Sequence, residues 1–171
     1  MVLKMQMNKK KYKNEEDYVD SVQSFLESCG CLVWREVVPN ECKKWKQPFR
    51  VDMIIYREDF EYIGIEAKYF NTLRSGGRVA EAFEQLKKYK PLTYLNNIKI
   101  KRWGMLLGTN EYSDFAIGTN RNIKEFLKHF IKHFGFSLVE FGHDYVVIDF
   151  CTKDVIKITK DGIKRKDLEN Y

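Results

Sequence analysis

The chain has 171 residues, of which 44 % are hydrophobic and 32 % charged, and it carries a formal net charge of +6. That balance excludes disordered and fibrous classes, and no apolar run approaches the ~20 residues that a membrane-spanning helix needs. The length suits one domain with a substantial core, and a pI near 9.0 is compatible with a polyanionic partner without requiring one.

Residues 1–13 read as a basic, flexible tail. They include Lys9, Lys10, Lys11 and Lys13, and they lack the apolar stretch of a secretory leader, so a cytoplasmic chain is expected. Residues 14–171 read as a single domain. A helix is expected from about Asn14, a suitable N-cap followed by Glu15, Glu16 and Asp17 in the turn where the helix dipole favours acid. Tyr18, Val22, Phe25 and Leu26 form its apolar stripe, and Gly30 ends it. A strand over 31–38 contains Glu36. A polar loop from Pro39 to Pro48 follows, with Lys43, Lys44, Trp45 and Lys46.

Two apolar runs come next, Val51 to Tyr56 and Ile63 to Tyr69, joined by a turn over 57–61. Asp59, at the turn's centre, is equidistant from Asp52 and Glu66. A symmetric hairpin places those two carboxylates opposite each other and pairs Tyr56 with Tyr62. Alternation along the second strand puts Glu66 and Lys68 on one face, with Ile65 and Ala67 on the other. Two adjacent carboxylates repel unless a cation lies between them. Mg²⁺ or Mn²⁺ suits oxygen ligands of this kind. With a lysine beside it, the arrangement can polarise a phosphodiester and activate water. The chemistry expected is therefore that of a nuclease.

A loop over 70–77 leads to a helix from about Arg78 to Lys90, stopped by Pro91. Val79, Ala82, Phe83 and Leu86 form its stripe, and Gln85 and Tyr89 share a flank. A buried strand is expected over 101–108 and a helix over 121–134. A hairpin of 136–141 and 145–150 turns at Gly142-His143-Asp144, and a short strand is expected over 155–158. The apolar surface of the 136–150 hairpin is a candidate homodimer interface. Cys29, Cys31, Cys42 and Cys151 contain no C-x-x-C and read as reduced thiols rather than a disulfide or metal framework. His129 and His133 sit four apart on a helix without an apparent third ligand, so they read as polar helix residues.

The order of these residues resembles the PD-(D/E)xK nuclease superfamily. It runs Glu36, then Arg50-Val51-Asp52, then Glu66-Ala67-Lys68, then Gln85-x-x-x-Tyr89, the last pair as in RecB-like and Holliday-resolvase-like members. Valine replaces the proline that names the motif. The resemblance covers about residues 15–110, leaving about 111–171 as an extension or the rest of the sheet. It implies an α/β fold with a restriction-endonuclease-like core, a central mixed sheet flanked by helices. It assigns Asp52, Glu66 and the Ala67 carbonyl to a Mg²⁺ or Mn²⁺ ion, with Glu36 as a further ligand for which Glu16 and Asp20 are alternatives. Lys68 resembles the catalytic lysine, and Gln85 and Tyr89 support the site and meet DNA. The implied products carry 5′-phosphate and 3′-hydroxyl ends. Arg50, Arg74, Arg78, Lys87 and Lys88 are candidates for phosphate contacts, and Trp45 is a candidate for base stacking. Alternatives are an inactive nucleic-acid-binding protein of the same fold or a nuclease acting on RNA. Abundant Lys, Asn, Ile and Tyr suggest an AT-rich source such as a phage, virus or mobile element.

Overall fold

The computed structural model describes residues 12–70, 76–109, 128–152 and 154–167. Helix α1 (Glu15–Ser28) starts as its sequence dictates: the Asn14 side chain accepts the Asp17 N–H at 2.9 Å, and three acids occupy the first turn. The helix closes at Cys29, and Gly30 follows at a φ of 80°, a conformation that a Cβ disfavours. Tyr18, Val19, Val22, Phe25 and Leu26 are buried along one stripe.

Strand β1 (Leu32–Val37) pairs antiparallel with β2 (Val51–Arg57), which turns into β3 (Glu61–Phe70). The β2–β3 register is the expected one. Tyr56 lies opposite Tyr62 with ring centroids 4.5 Å apart, and Met53 lies opposite Ile65. Helix α2 (Gly76–Tyr89) begins two residues earlier than its sequence pattern suggests. A small hairpin, β4 (Thr93–Tyr94) with β5 (Ile98–Lys99), precedes β6 (Arg102–Thr109), which runs parallel to β3. Residues 128–133 are helical, and the beginning of the helix expected over 121–134 lies outside the described residues. The strands β7 (Ser137–Phe141) and β8 (Val146–Asp149) form the expected hairpin, followed by β9 (Asp154–Thr159) and β10 (Gly162–Asp167). The short β4–β5 pair and β10 are not signalled by the sequence pattern.

The fold is α/β. One eight-stranded mixed sheet runs in the order β1-β2-β3-β6-β7-β8-β9-β10, with β6 parallel to both neighbours and every other pair antiparallel. Side-chain alternation divides it into two faces. On one, Met53, Ile55, Ile63, Ile65 and Ala67 pack with the α1 stripe. On the other, Ile54, Trp103, Met105 and Leu107 pack with Ala82, Phe83, Leu86 and Tyr89 from α2 and its end. The sheet is curled. Ile156 and Ile158, from its far end, enter the α1 cluster, and the Arg165 guanidinium donates to the Asp59 carbonyl in the β2–β3 turn. Val146, Ile148 and Phe150 are buried in that cluster, so the apolar surface considered for a homodimer is consumed inside the chain. Gly64 is required by packing: a Cβ there would lie 2.3 Å from the Trp103 ring. Among the described residues no helix is long and apolar enough to cross a membrane. Cys29, Cys31 and Cys42 are buried free thiols, and Cys151 is exposed.

Candidate functional site

The hydrogen-bonded register of β2 and β3 ends at Met53 and Ile65, one residue before Asp52 and Glu66 would pair. From there β3 continues alongside β6 as far as Phe70, while its other edge has lost its partner strand. Two carboxylates occupy that edge. Asp52 Oδ2 accepts the Ala67 N–H at 2.7 Å, and Glu15 Oε2, at the start of α1, accepts the Tyr69 N–H at 2.8 Å. Unpaired strand N–H groups are costly when buried, so these side chains replace the missing ladder. A strand residue's N–H and C=O point to the same side. The Ala67 carbonyl therefore faces the same gap as Asp52.

Glu66 is 1 % exposed and Lys68 8 %. The Lys68 ammonium donates to Glu66 Oε1 at 2.7 Å, whereas Glu66 Oε2 is buried without a hydrogen-bond partner. Burial, and then the Asp52 charge, push the Glu66 carboxyl up to about 8 against the pull of Lys68. Asp52 is also raised, chiefly by burial, although the Ala67 N–H and Lys68 oppose the shift. Burial would lower Lys68, but its bond to Glu66 and the charges of Glu66, Asp52 and Glu15 outweigh burial and raise it. Fully ionised, Asp52, Glu66 and Lys68 carry one surplus negative charge. A proton on one of the two carboxyls removes it, in line with the upward shift of both groups.

Helix α2 supplies the remaining groups. Tyr89 is 1 % exposed, and its hydroxyl donates to the Arg50 carbonyl at 3.0 Å, bracing the chain just before β2. Its hydroxyl is raised by burial and then by Glu66 and Asp52, which places it within their field. Gln85 is half-buried, and its Oε1 lacks a partner. A cleft of about 420 Å³ reaches Asp52 from the α1 side and is lined by Asn14, Glu15, Glu16, Val19, Arg35, Glu36 and Asp52.

The expected residues are thus distributed unequally. Asp52, Glu66, Lys68 and Tyr89 converge, and Gln85 lies on the same face. Glu36 falls opposite Asp52, between the pairs Arg35–Met53 and Val37–Val51, with an unusual φ of 51°, and its side chain is exposed at the cleft. Glu16 also lines the cleft, but Asp20 is held by the Arg35 guanidinium at 2.7 Å. Arg50, Lys87 and Lys88 are exposed, and Trp45 is 53 % exposed. Arg74 and the Arg78 side chain lie outside the described residues. Sequence reasoning missed Glu15 and Arg35. Arg35 donates from Nε to the Asp52 carbonyl at 3.2 Å, which fixes the backbone of that acid. Its place in β1, alternating with Trp34 and Glu36, was the available signal.

Among the described residues no group of three or more His, Cys, Asp and Glu is gathered closely enough to hold a metal ion. Asp52, Glu66 and the Ala67 carbonyl are an oxygen donor set suited to a hard divalent cation whose shell is completed by water and substrate, the usual habit of Mg²⁺. The partnerless Glu66 oxygen and the surplus negative charge fit such an ion. Comparison of the chain with protein-family models, with curated proteins and with solved structures gives no match. The motif order therefore rests on this chain's own residues.

Proposed function

We propose that the chain is a Mg²⁺- or Mn²⁺-dependent nuclease of the PD-(D/E)xK kind that hydrolyses phosphodiester bonds in DNA. One observation carries the reading: where β2 leaves β3, Asp52 and Glu66 come together beside Lys68, and one buried Glu66 oxygen has no partner. The mixed sheet with α1 and α2 on opposite faces is compatible with a restriction-endonuclease-like core.

A divalent cation bound by Asp52, Glu66 and the Ala67 carbonyl would neutralise the carboxylates and polarise the scissile phosphate. The chain's own residues have separate tasks. Lys68 holds Glu66 in place and supplies positive charge to the phosphate as negative charge grows on it. Arg35 and Tyr89 hold the backbone on either side of Asp52, so the acid is oriented before substrate arrives. Arg50, Lys87 and Lys88, all exposed, would contact backbone phosphates, and Trp45 would stack on a base.

The test compares wild type with Lys68→Ala on supercoiled plasmid, linear duplex, single strands and a four-way junction, in Mn²⁺, Mg²⁺ or EDTA. Metal-dependent cutting that disappears in the variant is expected. Cutting that persists in EDTA, or is equal in the variant, would refute the assignment. The near closure of Glu66 and Lys68 to solvent favours a second reading, a nucleic-acid-binding protein without turnover. Metal-independent binding with no cutting would support that second reading.

A further inference from the structure

The loop between β1 and β2 contains one acid and four cations. Glu41, the acid, is turned away from the tip. Its carboxylate accepts the Thr93 N–H at 3.0 and 3.1 Å and the Thr93 hydroxyl at 2.9 Å, while Asn40 reaches the same hydroxyl at 3.2 Å. Cys42 is fully buried below it. The loop base is therefore pinned to the β4–β5 hairpin, and its tip is left with Lys43, Lys44, Lys46 and Arg50, all exposed.

Trp45 stands among these cations, 53 % exposed. It meets Phe49 in a T-shaped contact, with ring centroids 5.6 Å apart and an interplanar angle of 79°. Phe49 lies in turn 5.5 Å from the Tyr89 ring, whose hydroxyl braces Arg50 two residues before Asp52. In a T-shaped contact the partner ring covers at most one face of the indole, so another is left for a ligand. A row of packed rings thus connects the exposed indole to the carboxylate site.

We infer that Trp45 and its ring of cations bind an unpaired stretch of nucleic acid, so that the substrate of the neighbouring site carries a single-stranded end or flap. The inference rests on the nuclease reading for its link to cutting, but the binding surface is independent of it. Cations satisfy the phosphate backbone of any nucleic acid. A tryptophan face needs a base whose own face is uncovered, and bases inside a continuous duplex are already stacked on each other. The joint presence of both groups on a pinned loop therefore selects unpaired strands.

The experiment measures binding of full-length protein in EDTA by fluorescence anisotropy. The probes are a labelled oligothymidylate, an oligouridylate, a blunt duplex, and that duplex with a single-stranded overhang. Wild type is expected to prefer the unpaired and overhang probes. Trp45→Ala should weaken those two classes between about fivefold and a hundredfold, the range of one lost base stack, and leave the blunt duplex unchanged. Trp45→Phe should retain most of the affinity. Tighter binding of oligothymidylate identifies DNA as the ligand, tighter binding of oligouridylate identifies RNA, and either supports stacking. Equal binding of all probes by wild type, or an unchanged Trp45→Ala, overturns the inference. Cutting assays on the same preparations separate the two claims. Metal-dependent cutting with no role for Trp45 leaves the nuclease and removes the loop, whereas Trp45-dependent binding without cutting leaves the loop and removes the nuclease.

Discussion

Replacing Glu66 by glutamine should stabilise the metal-free protein, even though it breaks up a salt bridge. Glu66 is 1 % exposed and lies beside a second carboxylate, so its charged form is disfavoured in the fold. Its proton affinity rises from the ordinary 4.5 to about 8. Below 4.5 the folded and unfolded chains both hold the proton, and the group's stabilising contribution is fully present. As pH rises towards 8 only the folded chain still holds it, and stability falls by about 1.4 kcal/mol per pH unit. Above 8 both forms are ionised and the loss levels off. At pH 7 the carboxyl thus costs the fold on the order of 3 kcal/mol, relative to a neutral group of the same shape. Glutamine is that group: its oxygen can still accept from Lys68, and its amide can donate towards Asp52. Urea unfolding in EDTA, followed from pH 4 to pH 9, should show curves that coincide at pH 4 and separate by a few kcal/mol at pH 8. A Glu66→Gln protein that is less stable than wild type at pH 8 would show that the Glu66–Lys68 pair, not the buried charge, controls the site.

Lys68→Met should have the opposite effect, since it removes the donor to Glu66 and the cation beside Asp52; a lower urea midpoint in EDTA is expected, with the loss growing above pH 8 where Glu66 ionises. Gly64→Ala drives a methyl group into the Trp103 ring and should cost about 1–3 kcal/mol, read as a lower urea midpoint with an altered near-ultraviolet signal from Trp103. Asn14→Ala removes the cap of α1 and should cost about 1 kcal/mol in thermal or chemical unfolding.

The part of the site built by local rules was legible. A tight turn with alternation fixed the register from Tyr56–Tyr62 to Met53–Ile65, because a slip of one residue would have turned Ile55, Ile63 and Ile65 out of the core; the expected pairing of Asp52 with Glu66 is not made, since the ladder ends one residue earlier. The sharing of a face by Glu66, Lys68 and the α2 flank followed from the same periodicity. What remained hidden depends on where a strand stops pairing. Glu15 acts at the β3 edge only because β2 departs there, and no sequence pattern marks that departure. The first acid was sought at Glu36, Glu16 and Asp20 for the same reason, and Asp20 proved to be engaged by Arg35, from a different element. The β4–β5 pair is two residues long on each side, too short for a period to register. In β10, Lys164, Arg165 and Lys166 obscured the alternation expected of a strand.

The hairpin and the parallel pair differ in how far apart along the chain their partners lie. Asp52 and Glu66 are joined by a short turn, of the kind that closes in about 1–10 μs. The pairing of β3 with β6 joins Ile63 to Arg102 across α2, a more distant contact with a larger closure entropy. The carboxylates therefore meet early, while still in water, where unit charges about 5 Å apart repel by only about 1 kcal/mol. Their desolvation waits until β6 and α2 arrive. The closure of the distant β3–β6 contact is part of the folding barrier, and a transition state buries most of the native surface. The cost of Glu66 thus falls largely before the barrier top, and Glu66→Gln should speed refolding more than it slows unfolding in stopped-flow measurements at pH 8. On that account the residue proposed to hold an ion is also one that slows the assembly of the sheet around it.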